Sequence, residues 1–136
     1  MKKRMISLCI MLTAMTVSMR AGVKIDATHF PDANFRKCLS DKRIDKNQDG
    51  YLNDEELDAV QALNLNNKGI KDLKGIEYFQ ELRELECHEN ELTSIDVSMQ
   101  YNLKWFDCSY NKLTTLDVSH NPVLGALYCF SNKLTA

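Results

Sequence analysis

Apolar and polar residues alternate over short stretches in the second half of the chain, and the alternation returns at a fixed interval. Laid on itself, the sequence gives LRELECHENELTSIDVSMQYN (82–102), LKWFDCSYNKLTTLDVSHNPV (103–123) and LGALYCFSNKLTA (124–136), a period of 21 residues. The shared template is L-x-x-L-x-C-x-x-N-x-L-T-x-L-D-V-S. An earlier, divergent copy over 60–81 keeps the apolar spacing at Val60, Leu63, Leu65, Ile70, Leu73 and Ile76 over 22 residues. A unit this short cannot bury its own apolar face, so the period predicts stacked coils rather than a compact globule. Each coil supplies one short strand whose two-residue alternation turns Leu85 and Cys87, Phe106 and Cys108, or Leu127 and Cys129 inward. Leu92, Ile95 and Val97, then Leu113, Leu116 and Val118, fill the remaining interior as the chain returns.

Two polar residue types recur inside this apolar frame. Cys87, Cys108 and Cys129 fall in register. Parallel strands stack about 4.8 Å apart with parallel Cβ vectors, whereas a disulfide needs Cβ atoms roughly 3.5–4.5 Å apart and turned toward each other. One thiol per coil forms a line, not the tetrahedron of a structural zinc site. A thiol packed among leucines is a poor thiolate and hence a poor nucleophile. The three cysteines are therefore expected to be free, buried thiols acting as small hydrophobes, and Leu65 at the matching position of the divergent coil agrees. Asn90, Asn111 and Asn132 are also in register, where each strand must turn, and an amide there can satisfy backbone groups of its own coil and the next. The divergent coil has Lys68 at that position, so its turn must close differently.

Residues 23–59 carry a different pattern. Pro31 and Asp32 open a short helix in which Phe35, Cys38 and Leu39 share a face, with Phe30 just before it. A second helix starts near Asn53 or Asp54 and places Leu57 and Val60 at i, i+3. Between them lies DKNQDGYLNDEE (45–56), which matches D-x-[DN]-x-[DN]-G-x5-E at every specified position and resembles an EF-hand loop. That resemblance implies Ca²⁺ held by the side chains of Asp45, Asn47 and Asp49, the Tyr51 carbonyl, Asn53 directly or through water, and both oxygens of Glu56, with Gly50 at the sharp turn. Hard oxygen donors suit Ca²⁺ better than a transition metal. With three carboxylates and a single loop, the expected Kd is on the order of 10⁻⁵ to 10⁻³ M. Val60 belongs to both the second helix and the first coil, so 23–59 reads as an N-terminal cap on the solenoid of 60–136.

The 21-residue unit with its cysteine is similar to the cysteine-containing subclass of bacterial leucine-rich repeats found in internalin-like surface proteins. The likeness covers 60–136: one divergent, two full and one partial repeat. It implies an α/β repeat fold, a right-handed curved solenoid with a parallel sheet on its concave face and an EF-hand-like helical cap. It implies protein or glycan binding at a cell surface and brings no catalytic residues.

The first residues change the charge and the expected location. Lys2, Lys3 and Arg4 precede an apolar run from Met5 to Met19, the outline of a secretory signal peptide over 1–20 with cleavage between 18 and 22. The run of roughly 15 residues is short for a membrane span. Removing that segment leaves 13 basic against 19 acidic residues and no basic cluster, which argues against nucleic acid as a partner. A secreted or cell-surface location follows.

Outward strand positions line up as Ala62, Glu84, Trp105 and Ala126, then Asn64, Glu86, Asp107 and Tyr128, then Asn66, His88, Ser109 and Phe130, with Tyr110 one step on. The candidate ligand face is thus Glu84, Glu86, His88, Trp105, Asp107, Tyr110, Tyr128 and Phe130, aromatic anchors beside an acidic edge. His29, His88 and His120 have no nucleophile or carboxylate constellation around them, so an enzyme is not expected. The leading expectation is a non-catalytic extracellular binding or adhesion module. The alternative is a structural fragment of a longer surface protein or of a secreted hydrolase. The sequence stops partway through a repeat at SNKLTA without a polar end cap to cover Leu124, Leu127, Cys129 and Leu134, which predicts a truncated gene product, dimerisation through the open end, or marginal solubility.

Overall fold

A computed structural model describes residues 21–135. The signal-like segment, with Cys9 and the cleavage region before Ala21, lies outside the described residues, as does Ala136. In chain order the elements are β1 (Val23–Lys24), α1 (Ala33–Leu39), β2 (Tyr51–Leu52), α2 (Asp54–Ala59), β3 (Ala62–Asn64), a 3-10 turn (Ile76–Tyr78), β4 (Glu84–Glu86), β5 (Trp105–Asp107) and β6 (Ala126–Tyr128).

The solenoid is a four-stranded parallel sheet in the order β3-β4-β5-β6. Its register pairs Ala62 with Glu84, Glu84 with Trp105 and Trp105 with Ala126, a displacement of one repeat per strand. The ladder continues past the strand ends: Leu65 N–H donates to Glu86 O, Cys87 N–H to Asp107 O and Cys108 N–H to Tyr128 O, each at 2.8 Å. Just beyond, Asn67, Glu89, Tyr110 and Ser131 take φ of 52°, 55°, 52° and 54°. A left-handed non-glycine costs roughly 1 kcal/mol or more. Its recurrence in every coil marks it as the way the chain leaves the sheet, and in the three coils after the first the bonds of the following asparagine offset it.

Helix α1 starts at Ala33, with Pro31 outside it. Asp32 is its N-cap and accepts from the Asn34 and Phe35 amides. Asn53 caps α2 in a reciprocal box, accepting from Glu56 N–H while the Glu56 carboxylate takes the Asn53 N–H. β1 and β2 form a small antiparallel pair that the alternation did not announce. The cap and coils share one apolar core, running from Phe30, Phe35, Leu39 and Leu52 through Leu63, Ile70 and Ile76 to Leu85, Phe106 and Leu113. At the joint, Gly75 sits at φ 104°, and a Cβ there would fall 2.1 Å from the Phe30 ring. Only glycine allows the cap to pack that closely.

The first coil's missing asparagine is supplied by its neighbours. The Asn90 carbonyl oxygen accepts from Lys68 N–H and Ile70 N–H, and on the cap side Asn34 Nδ2 donates to Gly69 O while Asp32 Oδ2 accepts from the Lys71 and Asp72 amides. Burial alone would raise the Asp32 pKa, but the backbone amides of Lys71, Phe35, Asn34 and Asp72 outweigh it and hold the carboxyl below its ordinary value.

Candidate functional site

The interior side of each coil is structural. Cys87 and Cys108 are fully buried and Cys129 half-buried, and all four described cysteines, Cys38 included, are free. Burial pushes the Cys108 thiol up to about 12 and Cys87 well above its ordinary value, so neither supplies a thiolate at neutral pH. The asparagines form a matching amide ladder. Asn111 Nδ2 donates to Cys87 O, Cys108 O and Ser109 O while Oδ1 accepts from Leu92 N–H. Asn90 and Asn132 do the same one coil before and after. A second amide column escaped the sequence reading: Gln100 Nε2 donates to Ile76 O, and Asn121 Nδ2 to Val97 O and Gln100 O. Its signal was there, since Gln100 and Asn121 are one 21-residue period apart and both buried.

The opposite face of the sheet is the candidate ligand surface. Trp105, Tyr110, Tyr128 and Phe130 are 41%, 52%, 38% and 53% exposed, high for residues this apolar. The parallel register brings them together as two pairs, Trp105 with Tyr128 at 4.9 Å between ring centroids and Tyr110 edge-on to Phe130 at 5.2 Å. Glu84 and Glu86 on β4 lie beside Trp105 and Asp107 on β5. Glu86 Oε2 is held by Asn64 Nδ2 at 2.8 Å and Asn66 Nδ2 at 2.7 Å, and Asp107 Oδ1 accepts from Ser109 N–H. His88, on the same face, is half-buried, and its ring Nδ1 lies 3.5 Å from Glu89. Ser109, in the same column as His88 and Phe130, is fully buried with its hydroxyl unpartnered.

The 45–56 loop brings its six named residues round one turn with unequal readiness for a cation. Gly50, at φ 79°, makes the turn, and its N–H is taken by Asp45 Oδ2. Asn47 Oδ1 accepts from Asp49 N–H and Asp49 Oδ1 from Tyr51 N–H. Ile25 N–H bonds Gly50 O, so by antiparallel alternation the Tyr51 carbonyl points away from β1, toward the loop. Asp45 is buried, and its Oδ1 has no partner. A buried, orphaned carboxylate oxygen is costly and fits a cation ligand. Asn53 and Glu56 fit less well. The Asn53 side chain caps α2, and Glu56 accepts from Lys46, Asn47 and Asn53 amides. Among the described residues, no three His, Cys, Asp or Glu side chains converge as a metal-binding group.

The fold is similar to that of solved internalins. The functional domain of InlJ from Listeria monocytogenes, described as including a cysteine ladder, matches with a TM-score of 0.73 and 32% identity over 87% of this chain and 26% of that one. The internalin InlF of the same organism matches with a TM-score of 0.71 and 23% identity over 85% of this chain and 34% of that one. Internalin C2, at 17% identity, gives a TM-score of 0.50 over 84% of this chain and 70% of that one. The chain thus spans 26% of the InlJ domain and 34% of InlF, and InlF and internalin C2 bear on the fold alone. No protein-family model matches the chain, and neither does any curated protein. An internalin-like leucine-rich-repeat solenoid with a parallel sheet is the architecture these likenesses support.

Proposed function

We propose that this internalin-like solenoid is a non-catalytic recognition module, secreted or held at a cell surface, that binds a protein or glycan through the exposed face of its parallel sheet. The observation carrying this reading is the pairing of four exposed aromatic rings on that face, Trp105 with Tyr128 and Tyr110 with Phe130. Aromatic side chains lose little conformational freedom on binding and dominate interface energetics. Among the described residues no helix is long and apolar enough to cross a membrane. The test is surface plasmon resonance of the protein against a panel of purified ectodomains and glycans. Ligands that bind the parent should lose at least about tenfold in affinity to Trp105→Ala/Tyr128→Ala. Ligands that bind both proteins equally would reject the face.

The 45–56 loop is proposed to hold a structural Ca²⁺. Asp45 Oδ1 is the supporting observation, and Glu56 would exchange its Lys46 and Asn47 amide bonds for the ion. Bound calcium would supply charge neutralisation and stiffen the cap; at free Ca²⁺ tenfold above Kd it would add about 1.4 kcal/mol. Tm should rise between chelator and millimolar calcium in the parent and not in Asp45→Asn. An unchanged parent Tm rules the site out.

A further inference from the structure

The aromatic face also shows what it is built to receive. Glu84, Glu86 and Asp107 stand on adjacent strands, with Glu86 directly opposite Asp107 in the register. Like charges placed so are destabilising. Among the described residues none of the three forms an ion pair, and the nearest cations in sequence, Arg83 and Lys104, make none with them. Elsewhere the protein does pair its surface acids, as where Glu91 faces both Lys71 and Lys112. The two opposed carboxylates are also held rather than free to part. Glu86 is fixed by the amides of Asn64 and Asn66, and Asp107 by Ser109 N–H, leaving Glu86 Oε1 and Asp107 Oδ2 with no protein donor. Next to them the Trp105–Tyr128 pair offers π-faces, which attract cations and guanidinium planes.

We infer that the sheet face docks a cationic polypeptide segment, one whose arginine or lysine side chains reach the Glu86–Asp107 carboxylates while their stems or planes lie on Trp105 and Tyr128. Fixed, unpaired carboxylates beside exposed aromatic rings complement such side chains in charge and in shape, as a neutral glycan would not. This inference rests on the sheet face being the ligand surface.

The test uses the full chain, ¹⁵N-labelled, with three probes: a synthetic peptide bearing arginine and lysine between glycine and serine spacers, the same peptide with glutamate in place of its cations, and a neutral chitooligosaccharide. The basic peptide should shift the amides and the indole resonance of β4–β6, and its affinity should fall at least about tenfold in Glu86→Gln/Asp107→Asn and again on raising the salt. Both substitutions keep the oxygens that accept from Asn64, Asn66 and Ser109, and they remove the like-charge opposition, so the double variant's Tm should hold or rise. If glutamate peptide or chitooligosaccharide binds this face as well as the basic peptide, or the double variant binds it unchanged, the cationic partner is refuted while the face survives. If no probe perturbs the face, or the basic peptide shifts only other regions, the cationic partner is refuted, and the ectodomain and glycan panel alone decides the face.

Discussion

The coil carrying Phe106 and the coil carrying Leu127 are written from one template, yet one is interior and the other is surface. Phe106 and Cys108 are fully buried and Asn111 nearly so. Their counterparts one period on, Leu127, Cys129 and Asn132, are respectively exposed, half-buried and half-buried. The sequence differences are small and the hydrogen-bond pattern is the same. What differs is cover: β5 has β4 on one side and β6 on the other, whereas within the described residues β6 has a neighbour on one side only. In a stacked fold a residue's depth is thus a property of the neighbouring coil as much as of its own side chain.

Paired substitutions measure that difference. The largest effect is expected from Phe106→Ala, which should cost about 3–5 kcal/mol in chemical denaturation, against about 1 kcal/mol or less for Leu127→Ala. Equal losses at the two positions would show that the last coil is covered in solution. Next comes the amide ladder. Asn111→Ala strips a buried acceptor from Leu92 N–H and a donor from three carbonyls, a loss of roughly 2–4 kcal/mol, and Asn132→Ala should lose about half of that. The smallest effect is electrostatic. Because burial raises the Cys87 and Cys108 thiols, the unfolded chain gives up these protons first as pH climbs past the ordinary value of 9.0, and stability should fall from there toward about pH 12. Cys108→Ala should flatten this alkaline limb. The contrast is read from urea midpoints across the pH series.

The solenoid was legible because a stacked repeat is written in its own sequence. A fixed period sets the register, so the column of Ala62, Glu84, Trp105 and Ala126 could be drawn from spacing alone and appears in the parallel pairing. The four aromatics could be gathered into one cluster from the same spacing, but their division into two diagonal pairs comes from side-chain geometry. What spacing could not give was each side chain's use of its own neighbours. Asn53 and Glu56 fit a ligand pattern, but here each satisfies amides at the start of α2, a local competition that only coordinates reveal. Alternation places His88 on the sheet face but does not show that its ring lies 3.5 Å from Glu89. Leu127 keeps the register of buried Phe106, and its exposure reflects the want of a covering coil within the described residues, as the sequence reading expected. Gln100 and Asn121 were overlooked because buried amides on the returning segment resemble ordinary surface polarity until their carbonyl partners are seen.

Asp32 ties together two pieces of the molecule that have no strand in common. One oxygen holds the first turn of α1, and the other holds the amides of Lys71 and Asp72 across the junction. One carboxylate thus serves as a hasp for the helix start and the first coil together, and strong acid, which protonates it only below its already lowered pKa, would slacken both in the same stroke.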